Sequence, residues 1–154
     1  MKRALALLLA VLAHSALGAF DVNDIELGAS EKAVKARFPN AHCQPLQWSS
    51  RAAERRCDDS RITVAGIEAR ITFYFKSDAV EAFDIRFDSR ELERFVALLN
   101  KRFGTAADAS TETVRKLEWR DKGEHAVLTA EQGRRRASLL VSRGAFEDEI
   151  YKVR

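Results

Sequence analysis

The chain has little of the residue types that mark fibrous, disordered or disulfide-rich proteins. Its 154 residues include only two prolines, seven glycines, two cysteines and one methionine. With no glycine period, no sustained heptad and no biased run, this composition excludes collagen, coiled coils and low-complexity tails. Since 46% of the residues are hydrophobic and 32% are charged, the sequence predicts one globular domain of ordinary size.

Motifs of the common enzyme classes are also missing. The sequence contains no G-x-S-x-G elbow, phosphate-binding loop, G-x-G-x-x-G turn or H-E-x-x-H zinc motif. Acidic pairs such as Asp58-Asp59 lie in polar segments, where no apolar pocket would shift a catalytic pKa. His42 and His125 are far apart in sequence, which favours ordinary histidines over metal ligands. We therefore expect a non-enzyme with no catalytic residues, no metal site and no cofactor.

Only one long apolar run is present, over residues 4–13. It follows Lys2 and Arg3 and precedes small residues at 15–19, which is the pattern of a secretory signal peptide cleaved after residue 18 or 19. Ten residues span about 15 Å as a helix, half of a bilayer's hydrocarbon core, so a retained anchor is the weaker alternative. We expect a signal peptide at 1–19 and a periplasmic or secreted chain, 20–154, with no transmembrane segment.

The charge balance gives little reason to expect a nucleic-acid partner. Loss of Lys2 and Arg3 lowers the basic count from 26 to 24, against 23 acidic residues, which leaves a net charge of +1. Basic residues are nevertheless clustered in three segments. One hypothesis is a cationic surface for an anionic envelope polymer or an acidic protein, and the alternative is a solubilising surface with acids interspersed. The clusters are Arg51, Arg55 and Arg56; Arg115, Lys116, Arg120 and Lys122; and Arg134, Arg135 and Arg136.

The two cysteines, Cys43 and Cys57, are predicted to form a disulfide. An exported chain folds in an oxidising compartment, and thirteen intervening residues do not match the C-x-x-C spacing of redox or metal-binding pairs. The bridge would close a 15-residue loop and contribute about 3 kcal/mol of stability. Residues 40–60 show no period and are expected to form this loop.

Hydropathy patterns predict two helices and six strands. Ser30 and Pro39 bound one helix, while Asp88 with Glu91 forms a capping box for a longer helix that ends at Gly104. Apolar and polar residues alternate in the segments that we predict to be strands, with turns between them. The tail, 143–154, is compatible with one helical turn, and the sequence does not decide this. The predicted strands are 61–64, 67–75, 81–87, 116–120, 125–131 and 136–142.

This order predicts a single α+β domain built from two units of one helix and three strands. The half-repeats would be about 25–87 and 88–142, followed by the tail. Each unit alone would leave a helix stripe and a sheet face exposed, so we expect two helices packed on one antiparallel sheet of about six strands.

Residues 25–34, I-E-L-G-A-S-E-K-A-V, follow the pattern I-x-x-G-x-S-x-x-x-V. This run resembles the opening of small bacterial envelope proteins with helix-then-three-strand units, such as the SmpA/OmlA-type outer-membrane assembly lipoproteins and the duplicated β-lactamase-inhibitor-protein type. The resemblance implies a protein-binding or envelope-assembly role without catalysis. It does not extend to membrane anchoring, because no lipidation cysteine is present.

Six residues are candidate binding residues. Four should lie on the open sheet face, where their mixture of aromatic, aliphatic and arginine side chains resembles an interface. Two lie in the disulfide loop, whose closure lowers the ordering cost of binding, although Trp48 packing over the sheet edge is an alternative. They are Trp48, Leu46, Tyr74, Arg70, Arg86 and Leu140.

The sequence therefore predicts an exported, non-enzymatic protein-binding or envelope-assembly module whose partner is another envelope protein. The alternatives are an inhibitor of a secreted or envelope enzyme and a small hydrolase with an unrecognised site. No pattern in the sequence indicates an oligomeric state.

Overall fold

The computed structural model describes residues 20–152. The expected signal peptide, 1–19, lies outside the described residues and stays a prediction. None of the helices in 20–152 has both the length and the apolar character needed to cross a bilayer.

The first helix, α1 (Glu31–Arg37), begins at the predicted serine cap. Ser30 is extended, and its Oγ accepts a hydrogen bond from the backbone N–H three residues on, at 3.1 Å. Gly28 has a φ of +89°, which glycine adopts without steric cost. Its N–H donates to the Val80 carbonyl at 2.8 Å, and Val34 is fully buried. The segment before α1 therefore both caps the helix and fastens it to the sheet.

The second helix, α2 (Leu92–Phe103), follows a short 3-10 turn. Asp88 caps that turn by accepting from the Arg90 N–H at 2.9 Å. Glu91 makes no capping hydrogen bond and instead pairs with Arg94, so the predicted capping box is only half formed. The helix ends at Gly104, as predicted, with a φ of +84°.

Eight strands form one antiparallel sheet in the order β3-β4-β5-β6-β10-β9-β8-β7, and β1 with β2 forms a separate hairpin. A third helix, α3, follows the last strand. The elements not yet bounded are β1 (Asp21–Val22), β2 (Ile25–Glu26), β3 (His42–Pro45), β4 (Arg55–Val64), β5 (Ile67–Lys76), β6 (Ala79–Asp88), β7 (Ala107–Asp108), β8 (Val114–Asp121), β9 (Glu124–Glu131), β10 (Arg136–Arg143) and α3 (Phe146–Glu149).

One face of this sheet, the core face, carries the main hydrophobic core. Phe73 on β5 and Phe83 on β6 are almost fully buried there. Helices α1 and α2 cover this face: the ring centroid of Phe38, which caps the end of α1, lies 5.1 Å from that of Phe73, and Phe95 of α2 stacks on Phe87 at 4.2 Å. The alternation predicted for β5 and β6 is therefore confirmed as a half-buried hairpin.

The predicted α+β fold of two helix-plus-three-strand units is wrong. In residues 20–152 the chain is mostly β, with ten strands, one eight-stranded antiparallel sheet and three short helices. Two short strands, β3 and β7, extend the expected six-strand sheet at its edges, and β10 joins the two halves through seven residue pairs with β6. In addition, α3 packs on the face opposite α1 and α2.

The predicted disulfide is confirmed, although its surroundings differ from the expected loop. Cys43 and Cys57 lie directly opposite each other on β3 and β4, with their Cα atoms 4.0 Å apart. The bridge therefore holds an edge strand of four residues, ending in Pro45, onto the sheet. Such a bond is typical of an oxidising compartment outside the cytoplasm.

Candidate functional site

The sheet face opposite the core face is the open face, and it carries the candidate site. Successive residues of a strand point to opposite faces, so the polar residues that alternate with the core residues lie on this face. Thr72 and Asp84 lie directly opposite each other on β5 and β6, and Asp84 also lies opposite Leu140 on β10. The open face is thus a mixed surface, polar in its middle strands and apolar where α3 covers it.

α3 covers one end of the open face and forms a second, smaller core. Phe146 and Ile150 are buried against Ala82, and the Phe146 ring lies 5.3 Å from that of Tyr74. Four of the six predicted binding residues border this small core and are half-buried by it. They are Leu46, Trp48, Tyr74 and Leu140.

Trp48 holds α3 in place. Its indole N–H donates to the Ile150 carbonyl at 3.0 Å, and its ring stacks on Tyr151 with centroids 6.1 Å apart. These contacts favour the packing alternative for Trp48, and its role in recognition stays a prediction. Leu46 lies beside it, with its N–H bonded to the Glu54 carbonyl at 2.9 Å.

Between α3 and the middle strands lies a groove of about 280 Å³, the α3 groove. Tyr151, 80% exposed, stands at its rim, and Asp84 and Arg86 line its polar end. Its other lining residues are Tyr74, Val127, Thr129, Ser138, Leu140, Phe146, Glu147 and Ile150.

The polar end of the α3 groove holds perturbed groups. Burial raises the pKa of Tyr74 to about 12, and the nearby Asp84 carboxylate adds to this rise. Burial also raises the pKa of Asp84, against the effect of the Arg86 guanidinium, which pairs with it at 2.9 Å. A carboxyl group held this way has little water around it and keeps Arg86 aligned along the open face.

The other two predicted binding residues, Arg70 and Arg86, are exposed and lie directly opposite each other on β5 and β6. Like charges in that position are unfavourable by a few tenths to about 1 kcal/mol. Arg136 lies on β10 opposite Asp88, diagonal to Arg86. Three neighbouring strands therefore place guanidinium groups on one patch of the open face.

The basic clusters do not merge into one cationic surface. Seven of their members pair with acidic groups: Arg51 with Glu149, Arg55 with Glu31, Arg56 with Asp58, Arg115 with Glu93, Lys116 and Arg120 with Glu118, and Arg134 with Glu131. Across residues 20–152, Lys122, Arg135 and Arg136 have no such partner, and the two arginines adjoin Arg70 and Arg86.

His125 ties α3 to the sheet. Its Nδ1 lies 3.2 Å from a Glu147 oxygen, and its Nε2 lies 3.5 Å from a Glu118 oxygen. Within residues 20–152, Nε2 is buried without a hydrogen-bond partner. His42 is far from it, because four strands separate β3 from β9 in the sheet.

One group of potential metal ligands occurs within the described residues, Glu31 with Cys43 and Cys57, whose ligand atoms lie within 4.8 Å of one another. Both sulfurs are joined in the disulfide, so they offer no thiolate to a metal.

Sequence reasoning missed the part that the tail plays in the site. Phe146 and Ile150 are four residues apart, the spacing that places two apolar side chains on one side of a helical turn. That spacing is the signal that could have placed α3 on the open face. Sequence reasoning missed Asp84 and Tyr151 as well. No sequence pattern marks these two residues, and only the folded chain places both on one groove.

The resemblance to envelope proteins rests on residues 25–34 and stays a prediction. No family model matches the chain, no curated protein is significantly similar to it, and no solved structure matches it.

Proposed function

We propose that the protein is an exported, non-enzymatic binding module of the bacterial envelope, located in the periplasm, that docks a segment of another envelope protein in the α3 groove. The periplasmic location and the bacterial origin rest on the N-terminal signal pattern and on the resemblance of residues 25–34. The disulfide between Cys43 and Cys57 supports folding in an oxidising compartment.

The observation that carries this function is the exposed aromatic ring beside an apolar groove. Of the large apolar residues in 20–152, Tyr151 and Leu98 are the exposed ones, at 80% and 38%. Tyr151 lies at the rim of a groove that Tyr74, Leu140 and Ile150 line. Aromatic anchors next to apolar pockets are characteristic of protein-binding surfaces.

The size and charge of the groove indicate its occupant. Its volume of about 280 Å³ lies at the lower limit of the range for small-molecule pockets, about 300–1,000 Å³. It therefore fits one or two side chains of a larger partner. At the polar end Arg86 is already paired with Asp84 at 2.9 Å, so the main contact that the groove offers a partner is the apolar one.

Site-specific photo-crosslinking tests this proposal. A photoreactive phenylalanine at position 151 should capture one envelope protein at 1:1 stoichiometry, whereas the same residue at position 98, on α2, should capture none. Tyr151→Ser should abolish co-purification of that protein, and Leu98→Ser should leave it unchanged. Absence of a crosslink at 151, or equal crosslinks at both positions, contradicts the proposal.

The identity of the captured partner also distinguishes an inhibitor from an envelope-assembly module. If the partner is an enzyme whose activity falls on binding, the protein is an inhibitor. If the partner has no activity that changes, the assembly role stands.

A further inference from the structure

A second cleft lies at the end of the open face away from α3, and we call it the arginine cleft. It has a volume of about 450 Å³, and its polar lining comprises Arg70, Arg86, Arg135, Arg136, Ser60, Glu68 and Asp88. Arg86 and Arg136 also line two smaller clefts beside it, so the guanidinium groups border a continuous depression.

The wall of the arginine cleft includes an irregularity in β4. The β4–β5 register shifts between Asp59 and Ile62, which leaves Ser60 outside the regular pairing. The carboxylate of Asp59 is buried and accepts the Arg61 N–H at 3.0 Å, so the bulge is held in place. Bulges often lie next to functional sites because they redirect side chains, and this one places Ser60 on the cleft.

The cleft carries a positive charge that the protein does not neutralise. Asp84 pairs with Arg86, and the two oxygens of Asp88 accept from Nε and Nη2 of Arg90, at 3.0 and 2.9 Å; Arg90 lies outside the cleft. Glu68 then remains as the acid facing three arginines that have no ion-pair partner in residues 20–152. These three are Arg70, Arg135 and Arg136. Among the residues that line the arginine cleft itself, the uncompensated charge is therefore +2, while Asp58 and Asp59 line the smaller cleft beside it.

We propose that the arginine cleft binds a phosphate monoester. Such a group carries a charge between about −1.5 and −2 at pH 7, which matches the excess of +2. Guanidinium groups donate paired N–H bonds to phosphate oxygens, and the Ser60 hydroxyl adds a neutral donor. A single carboxylate would neutralise only half of the excess. This site shares Arg86 with the α3 groove, but its other arginines lie outside that groove and it does not depend on a protein partner.

Calorimetric titration of the purified protein with glycerol phosphate, at low and constant ionic strength, tests the site. Saturable binding is expected, and Arg70→Gln and Arg136→Gln should each weaken it at least tenfold. The matched control is Arg120→Gln, which removes the same charge from an open-face arginine paired with Glu118 outside the cleft. It should change the affinity less than twofold. Thermal melting of each variant verifies that it folds.

Two further probes identify the source of the phosphate. Sedimentation with phosphatidylcholine vesicles, with and without phosphatidic acid, reports a lipid headgroup, and succinate reports a dicarboxylate. If the protein binds only to vesicles with phosphatidic acid, and Arg70→Gln and Arg136→Gln abolish this binding, the site is supported and its ligand is a membrane phosphate. Absence of binding in both assays, succinate binding as tight as that of glycerol phosphate, or equal weakening by Arg120→Gln overturns the proposal.

Discussion

The indole nitrogen of Trp48 donates a hydrogen bond to the Ile150 carbonyl at 3.0 Å, and so joins two segments 102 residues apart in the chain. A second bond runs in parallel, from the Arg51 N–H to the Lys152 carbonyl at 3.1 Å. The segment between β3 and β4 thus supports α3, and α3 in turn forms one wall of the α3 groove. The disulfide fixes the start of this same segment, because Cys43 lies on β3.

Replacing Trp48 should loosen α3 before it affects the rest of the fold. Trp48→Phe keeps a ring on Tyr151 but leaves the Ile150 carbonyl without its donor, which should cost about 1 kcal/mol. Trp48→Ala also removes the packing, with an expected loss of about 3 kcal/mol. Denaturant unfolding measures both values, and hydrogen exchange of 145–152 should speed up in both variants. Unchanged stability and exchange in Trp48→Ala would return Trp48 to a role in recognition.

The strands that sequence patterns predicted are those whose inward residues are large and apolar. In β5, large apolar side chains fill four of the five inward positions, so the alternation is plain; they are Ile67, Ile71, Phe73 and Phe75. In the first half of β4 the inward positions hold Cys57 and Asp59, both buried, and hydropathy does not mark them. Hydropathy therefore predicts a loop both for that half of β4 and for its edge neighbour β3.

The disulfide should stabilise the protein by about 3 kcal/mol, since it closes a 15-residue loop in the unfolded chain. A reducing agent should lower the free energy of unfolding by this amount, and hydrogen exchange should show β3 detaching first, because β3 is an edge strand of four residues. The double variant Cys43→Ser, Cys57→Ser is the control, and the reducing agent should not change its stability. Equal stability of oxidised and reduced wild type would show that pairing with β4 alone holds β3.

Glu31 should make stability depend on acid pH. The Arg55 guanidinium bonds both its oxygens, at 2.8 and 3.2 Å, and Lys35 adds an ion pair; these contacts lower the pKa of Glu31 from 4.5 to about 2. A pKa lowered in the folded state gives a stabilisation that is complete above pH 4.5 and is lost as the pH falls from 4.5 to 2. Because Arg55 is 41% exposed, the gain should not exceed about 1 kcal/mol.

The measurement is urea unfolding of wild type and Glu31→Gln between pH 7 and pH 2. The two stability curves should lie apart above pH 4.5 and converge toward pH 2. Glu112→Gln, in the exposed loop before β8, is the control and should follow wild type throughout. A Glu31→Gln curve parallel to wild type would mean that Glu31 is not responsible for the dependence.

The candidate site was harder to predict than the strands because it depends on register. The turn at Ser77 and Asp78 pairs Lys76 with Ala79, and this pairing alone would place Ile85 opposite Arg70. A register shift between Tyr74 and Phe75 moves the pairing by one residue and brings Arg86 opposite Arg70 instead. A one-residue shift exchanges the two faces of a strand, and hydropathy does not mark where the bulge occurs.

Arg70 and Arg86 lie directly opposite each other, so their like charges should lower the free energy of unfolding. We expect this cost because both side chains are needed to bind the ligand of the arginine cleft. Arg70→Thr removes the like-charge contact and places a residue with high strand preference on β5, so it should raise the free energy of unfolding by about 0.5 kcal/mol in low salt. Because 1 M salt shortens the screening length to about 3 Å, the gain should shrink there. Arg120→Thr, which instead breaks a pair with Glu118, should give no gain. Urea unfolding at both salt concentrations measures these differences. If Arg70→Thr is instead destabilised, Arg70 supports the fold through its contacts along β5, and its like-charge contact with Arg86 does not lower stability.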